Sequence, residues 1–168
     1  KSLPKDKGTV IVKHANPCGV SAKSNHLESY KSALACDPTS AFGGIISCNF
    51  KVTKNLANEL NKLFVEVIIA KGFDNNAIKI LKTKKNLRLI DASNYSLKKT
   101  LKFNSFNKDI LVQSDDLNIF AKKNFRVVSK KKPTSKQLKD LIFAFNICRH
   151  VKSNAIVLAS NETTVGIG

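Results

Sequence analysis

Lys13 and His14 stand side by side after the apolar run Val10-Ile-Val12 and ahead of Asn16-Pro-Cys-Gly19. An imidazole and an ammonium supply the two halves of a proton-transfer step: the ring accepts a proton while the cation stabilises a developing oxyanion. A neighbouring ammonium also disfavours a positive charge on the ring, which keeps the imidazole able to act as a base. Adjacent side chains of a regular strand face opposite ways, so both can serve one site only if the strand ends about there. The plainer alternative is a His satisfied by backbone beside a solvated Lys. In Ala41-Phe42-Gly43-Gly44, glycines ahead of an apolar strand let backbone N–H groups approach a planar ligand, a tight turn or bulge being the other reading. Asn154, behind Lys152 and Ser153, can both donate to and accept from a carboxamide or amine, or can simply occupy a helix-to-strand turn. Glu66 lies near the start of a further apolar run.

A zinc site of the nucleobase-deaminase type needs H-x-E followed by P-C-x-x-C, because the Glu shuttles protons and the cysteines hold the metal. His14-Ala-Asn16 lacks the Glu, and Pro17-Cys-Gly-Val-Ser21 lacks the second Cys. A zinc-water mechanism has neither its base nor its ligand set, so no metal is expected.

Elements able to position these residues are legible along the chain. Val10–Val12 reads as a buried strand running into a loop at Asn16–Gly19. Asn25 and Glu28 suggest a capping box for a helix through Leu34 that Asp37-Pro38 stops. Residues 44–49 form a second strand. Thr53 caps a helix with Leu56, Leu60, Leu63 and Phe64 on one face. Val65–Ala70 is a third strand, Asp74 opens another helix, and Leu87–Ile90 is a fourth strand. Residues 91–125 break this rhythm and read as a peripheral segment whose clear strand is Ile110–Gln113. Arg126–Val128 is a short strand candidate. A helix from Thr134 turns Leu138, Leu141, Ile142 and Phe145 inward, and Ala155–Ala159 and Val165–Ile167 read as strands. Alternation of continuous apolar strands with helices predicts an α/β fold, a three-layer α/β/α sandwich around a mostly parallel or mixed sheet.

At 168 residues the chain is sized for one domain. Its apolar runs fall far short of the ~20 residues that span a membrane. Cys18, Cys36, Cys48 and Cys148 show no paired spacing, which points to small buried hydrophobes in a reducing, cytoplasmic compartment. The net charge of +17 suggests anionic partners and, taken bare, nucleic acid. Only Arg88, Arg126 and Arg149 are arginines, however, and 17 Asn accompany the lysines, which is what a biased genome composition produces and what bidentate phosphate recognition does not. No initiator Met opens the sequence and Thr164–Gly168 ends within a strand pattern, so a fragment is expected.

Four ordered motifs, Lys13–Gly19, Asp37–Gly44, Phe64–Ala70 and Val151–Val157, together resemble the AICAR transformylase/IMP cyclohydrolase family from about Thr9 to Gly168. The resemblance implies a fold similar to that of cytidine deaminase, and formyl transfer from 10-formyltetrahydrofolate to the amine of AICAR on the way to IMP. It assigns Lys13, His14 and Asn154 to catalysis, and Phe42, Gly43 and Glu66 to substrate binding. It implies nucleotide and folate as partners, with neither nucleic acid nor membrane, and a homodimeric parent with shared sites. Residues 1–168 would be the N-terminal part of the transformylase domain, without the cyclohydrolase domain or the C-terminal transformylase half. Lys71 departs from the family, which usually has Pro there. Two other readings remain: a zinc-free deaminase-like nucleotide-binding domain and a basic nucleic-acid-binding module.

Overall fold

In the computed structural model the described residues are 2–96, 101–116 and 118–168. The first strand, β1 (Gly8–Lys13), is followed directly by β2 (Asn16–Ala22), and the two pair antiparallel with Lys13 opposite Asn16. The expected loop at Asn16–Gly19 is therefore a strand. Its Asn-Pro-Cys-Gly composition suggests a turn, but the turn lies one step earlier at His14-Ala15, and Pro17 sits at the register irregularity, where a missing N–H costs the ladder least. Gly19 lets β2 approach the next helix, because a Cβ there would stand 2.0 Å from the Ala33 carbonyl oxygen.

That helix, α1 (His26–Cys36), starts where the Asn25 side chain accepts the Glu28 N–H. Asp37 ends it and caps the short α2 (Pro38–Ala41) by accepting the Ser40 N–H at 2.9 Å, with Pro38 in the first turn, where no N–H is needed. The chain then alternates through β3 (Gly44–Cys48), α3 (Lys54–Leu60), β4 (Val65–Ala70), α4 (Asn75–Leu81) and β5 (Arg88–Asp91). Thr53 precedes α3 but makes no side-chain cap. The Asp74 carboxylate serves instead: Oδ2 accepts the Lys54 N–H at 3.0 Å and Oδ1 the Ala77 N–H at 2.6 Å, so one side chain closes the first turns of α3 and α4. Leu63 and Phe64 lie beyond the end of α3, between helix and strand, not on its face.

The peripheral segment 91–125 holds two strands where one was expected, β6 (Leu101–Phe106) and β7 (Asp109–Ser114), paired as a separate hairpin. Residues 97–100 and 117 of that segment lie outside the described residues. Arg126–Val128 is not a strand. The helix α5 (Ser135–Cys148) opens on a capping box of Thr134 and Gln137. Its buried face carries Phe143, Asn146 and Ile147, while Leu141 is 58% and Phe145 48% exposed. The buried face is rotated from the expected one. The stripe that fits against Val20 and Ala22 is Phe143 and Ile147, and Asn146 is drawn inward to bond the Phe120 backbone. The last hairpin is β8 (Val157–Ser160) and β9 (Thr163–Ile167).

Seven strands form one mixed sheet in the order β5-β4-β3-β1-β2-β9-β8. β3, β4 and β5 run parallel, joined by α3 and α4, and every other pairing is antiparallel. One face packs against α1, α3 and α4 through Ile11, Ile46, Ile68 and Leu81. The other packs α5 over Val10, Val20 and Val157. The result is a three-layer α/β/α fold. Among the described residues no helix is long and apolar enough to cross a membrane.

Candidate functional site

β1 runs antiparallel to β3, so the carboxyl end of β1 meets the amino ends of β3 and β4. Lys13 is the last residue of β1, and its ammonium donates to the carbonyls of Phe42 at 2.8 Å and Gly43 at 3.1 Å. Gly43 has φ +65, and a Cβ there would lie 2.9 Å from the Lys13 Nζ. The positive φ favours glycine here, while the Lys13 Nζ, as the end of a flexible side chain, could move aside for a Cβ. Phe42 is 60% exposed, with its ring tilted against Phe64 at a centroid distance of 5.1 Å, and the Gly43 N–H donates to the Phe64 carbonyl. Glu66 is near these residues for a local reason. Gly44 pairs with Val65 and Ile45 with Val67, so Glu66 is the extra residue of a bulge and projects exposed beside the turn that carries Gly43.

His14 follows Lys13 at φ 52 and Ala15 has φ 62, so the strand ends at Lys13 and a two-residue left-handed corner begins. Such corners favour Asn-Gly or Gly-Gly; a side chain in this region costs roughly 1–2 kcal/mol per residue. The His14 side chain is exposed and makes no hydrogen bond among the described residues. Its carbonyl accepts from the Lys152 ammonium at 3.3 Å, and the Lys152 N–H donates to the Asn16 side chain at 2.9 Å. These bonds hold the turn containing Asn154 against the tip of the first hairpin, across 136 positions of sequence for the Lys152–Asn16 pair. Asn154 is exposed at that turn.

Lys13, Phe42 and Gly43 are therefore in direct contact, Glu66 flanks them, and His14 and Asn154 occupy two turns joined through Lys152. Phe64 was missed as a site residue because helical spacing assigned it to a helix face. The register of β3 against β4, which sequence does not display, makes it the ring partner of Phe42. Lys152 and Asn16 were visible within their motifs, but not the bonds that join them across the two turns. Burial, with help from Asp37 and Cys36, pushes the Cys18 thiol up to about 11, and burial pushes Cys48 to about 12. Among the described residues no three His, Cys, Asp or Glu side chains gather as a metal site would require.

The model of the AICARFT/IMPCHase bienzyme family matches residues 2–168. The bifunctional purine biosynthesis protein PurH of Acetivibrio thermocellus is 43% identical over 167 residues, covering 97% of this chain and 32% of that protein. PurH of Caldicellulosiruptor bescii is 46% identical over 162 residues, covering 95% of this chain and 31% of its own length. PurH of Buchnera aphidicola subsp. Schizaphis graminum is 47% identical over 161 residues, with the same two shares. The chain spans about a third of the length of these relatives.

Proposed function

The chain belongs to the AICARFT/IMPCHase bienzyme family, and on that premise we propose that it carries part of a formyl-transfer site of purine biosynthesis. The reaction moves the formyl group of 10-formyltetrahydrofolate onto the amine of AICAR, an aminoimidazole carboxamide ribonucleotide, and the product is cyclised to IMP by the cyclohydrolase part of the parent. The amine nitrogen bonds to the formyl carbon, the bond from that carbon to the donor nitrogen breaks, and a proton passes from the amine to the leaving nitrogen. An aminoimidazole amine is a weak nucleophile, so the step needs a base, and His14 takes the proton. Lys13, with two of its N–H groups on carbonyls, turns the third toward the formyl oxygen as charge develops there. Asn154 meets the carboxamide, Phe42 and Gly43 line the planar ring, and Glu66 accepts from ribose hydroxyls. No step calls for a metal. The complete site forms across a cytoplasmic homodimer.

The observation that carries this reading is the strained, side-chain-bearing corner at His14, directly after a lysine fixed on the Phe42-Gly43 carbonyls and latched by Lys152 to the Asn154 turn. Strain of this kind collects where a side chain must be presented. AICAR titrated into the chain and followed by the His14 ring resonances tests it. Weak, saturable shifts at His14 and Asn154, without turnover by this portion alone, are the expected result. A His14 ring indifferent to AICAR, together with RNA affinity that falls steeply with salt, would replace the reading with a nucleic-acid module.

A further inference from the structure

β2 runs antiparallel to β9, and β9 to β8, so β8 begins at the same end of the sheet as β2. The turn that carries Asn154 leads into β8 and the His14 corner leads into β2, which brings both turns to one edge. One strand still stands between them, a spacing of about 10 Å that no backbone ladder closes. Side chains close it. Asn16 opens β2 opposite Lys13, and its Oδ1 accepts the Lys152 backbone N–H at 2.9 Å, while the Lys152 ammonium donates back to the His14 carbonyl at 3.3 Å. On its own side the Asn154 turn is already shaped. The Cys148 thiol donates to the Ala155 carbonyl at 3.5 Å, Ala155 holds φ 66, and Ile156 and Gly168 exchange backbone bonds of 2.6 and 2.9 Å. Those bonds set the form of the turn and not its distance from His14. Among the described residues, the hydrogen bonds that span the two turns are those of Asn16 and Lys152.

AICAR carries its amine and its carboxamide on adjacent ring carbons, so a base for one and an amide for the other must act at a fixed separation. Resting on the formyl-transfer reading above, we propose that Asn16 is a positioning residue: it sets the spacing of Asn154 from His14, and with it the preference of the site for a ribonucleotide whose amine stands beside a carboxamide. Asn16 itself meets no part of the nucleotide. Both bonds of the latch are exposed, so they add little to the fold. Their effect falls on recognition, where two groups must be met together. A carboxylate oxygen accepts an N–H as an amide oxygen does, so Asp can stand in for Asn16 in this part and a methyl group cannot.

The test compares AICAR with the aminoimidazole ribonucleotide that lacks the carboxamide, each titrated into the chain and followed by the His14 ring and Asn154 side-chain resonances. Wild type is expected to bind AICAR about tenfold more tightly, the worth of a carboxamide that both gives and takes a hydrogen bond. In Asn16→Ala that advantage should fall to about twofold while affinity for the shorter nucleotide stays the same, and Asn16→Asp should restore it. Lys152→Met, which surrenders only the bond to the His14 carbonyl, should lose part of the advantage. An undiminished advantage in both Asn16→Ala and Lys152→Met overturns the proposal and leaves the formyl-transfer reading standing. Equal weakening of both nucleotides in Asn16→Ala also overturns it, since the side chain would then serve the fold and not the spacing. Wild type that binds both nucleotides alike removes the carboxamide role of Asn154, and the proposal falls with it.

Discussion

At Asn161-Glu162 and at His14-Ala15 the chain turns the same corner: two consecutive non-glycine residues at positive φ closing an antiparallel pair. Around Asn161-Glu162 the corner is tied on every side. Both of its N–H groups end on the Asp140 carboxylate at 2.9 and 2.8 Å, the Lys23 ammonium caps the Asn161 carbonyl, the Ala22 N–H takes the Glu162 carbonyl, and Lys139 pairs with the Glu162 side chain. At His14-Ala15 one lysine reaches one carbonyl, and the imidazole makes no hydrogen bond among the described residues. The first hairpin is held at its shaft, where Gly19 lies against α1, and the second is held at its tip. The second corner is held from both flanks by its tethers; the first is held through the Lys152 bonds to the His14 carbonyl and the Asn16 side chain, which leaves its imidazole free for the role proposed above.

The largest break in this comparison comes from the shaft. Gly19→Ala drives a methyl into the Ala33 carbonyl and is expected to cost about 3 kcal/mol or more in urea unfolding. Asp140→Ala strips the second corner of its carboxylate and should cost about 2 kcal/mol, given that bonds to a charged acceptor are the stronger kind. Replacing Ala15 by Gly relieves one left-handed side chain against some loss of unfolded-chain restriction, so a gain of about 0.5 kcal/mol is expected. His14→Ala should leave stability within about 0.5 kcal/mol of wild type while abolishing the AICAR-dependent shift of Asn154. A His14 variant as destabilising as Asp140→Ala would erase the contrast between the corners.

The smallest effect is pH-dependent and lies beneath the Lys152 latch. Burial, reinforced by the Arg149 guanidinium, holds the His150 imidazole below its ordinary value. Above about pH 6.5 the ring is neutral folded and unfolded alike and contributes no difference. As the pH falls through that value the unfolded chain takes up the proton before the native one, so stability declines toward acid. Melting temperatures measured from about pH 7.5 to 5.5 should fall less steeply for His150→Gln.

Sequence made the strand–helix alternation from β3 to β5 legible because those strands are short continuous apolar runs and the capping residue Asp74 sits where α4 starts. It misled at Asn16–Gly19, where turn-type residues lie in a strand, since propensity is local and the β1 partner that overrides it is not. The inward face of α5 was missed because Leu141 and Phe145 are as apolar as Phe143 and Ile147, and only the position of the sheet chooses between them. Candidate residues of the site were visible as motifs. Their company was not: Phe64 beside Phe42, and Lys152 on His14 and Asn16, follow from strand register and from a contact between distant turns, neither of which leaves a periodicity in the chain.

The carboxylate of Asp74, bonded to the first turns of both α3 and α4, makes the starts of two helices depend on a single side chain. Loss of that one carboxylate would leave the first-turn N–H groups of both Lys54 and Ala77 without their acceptor at once.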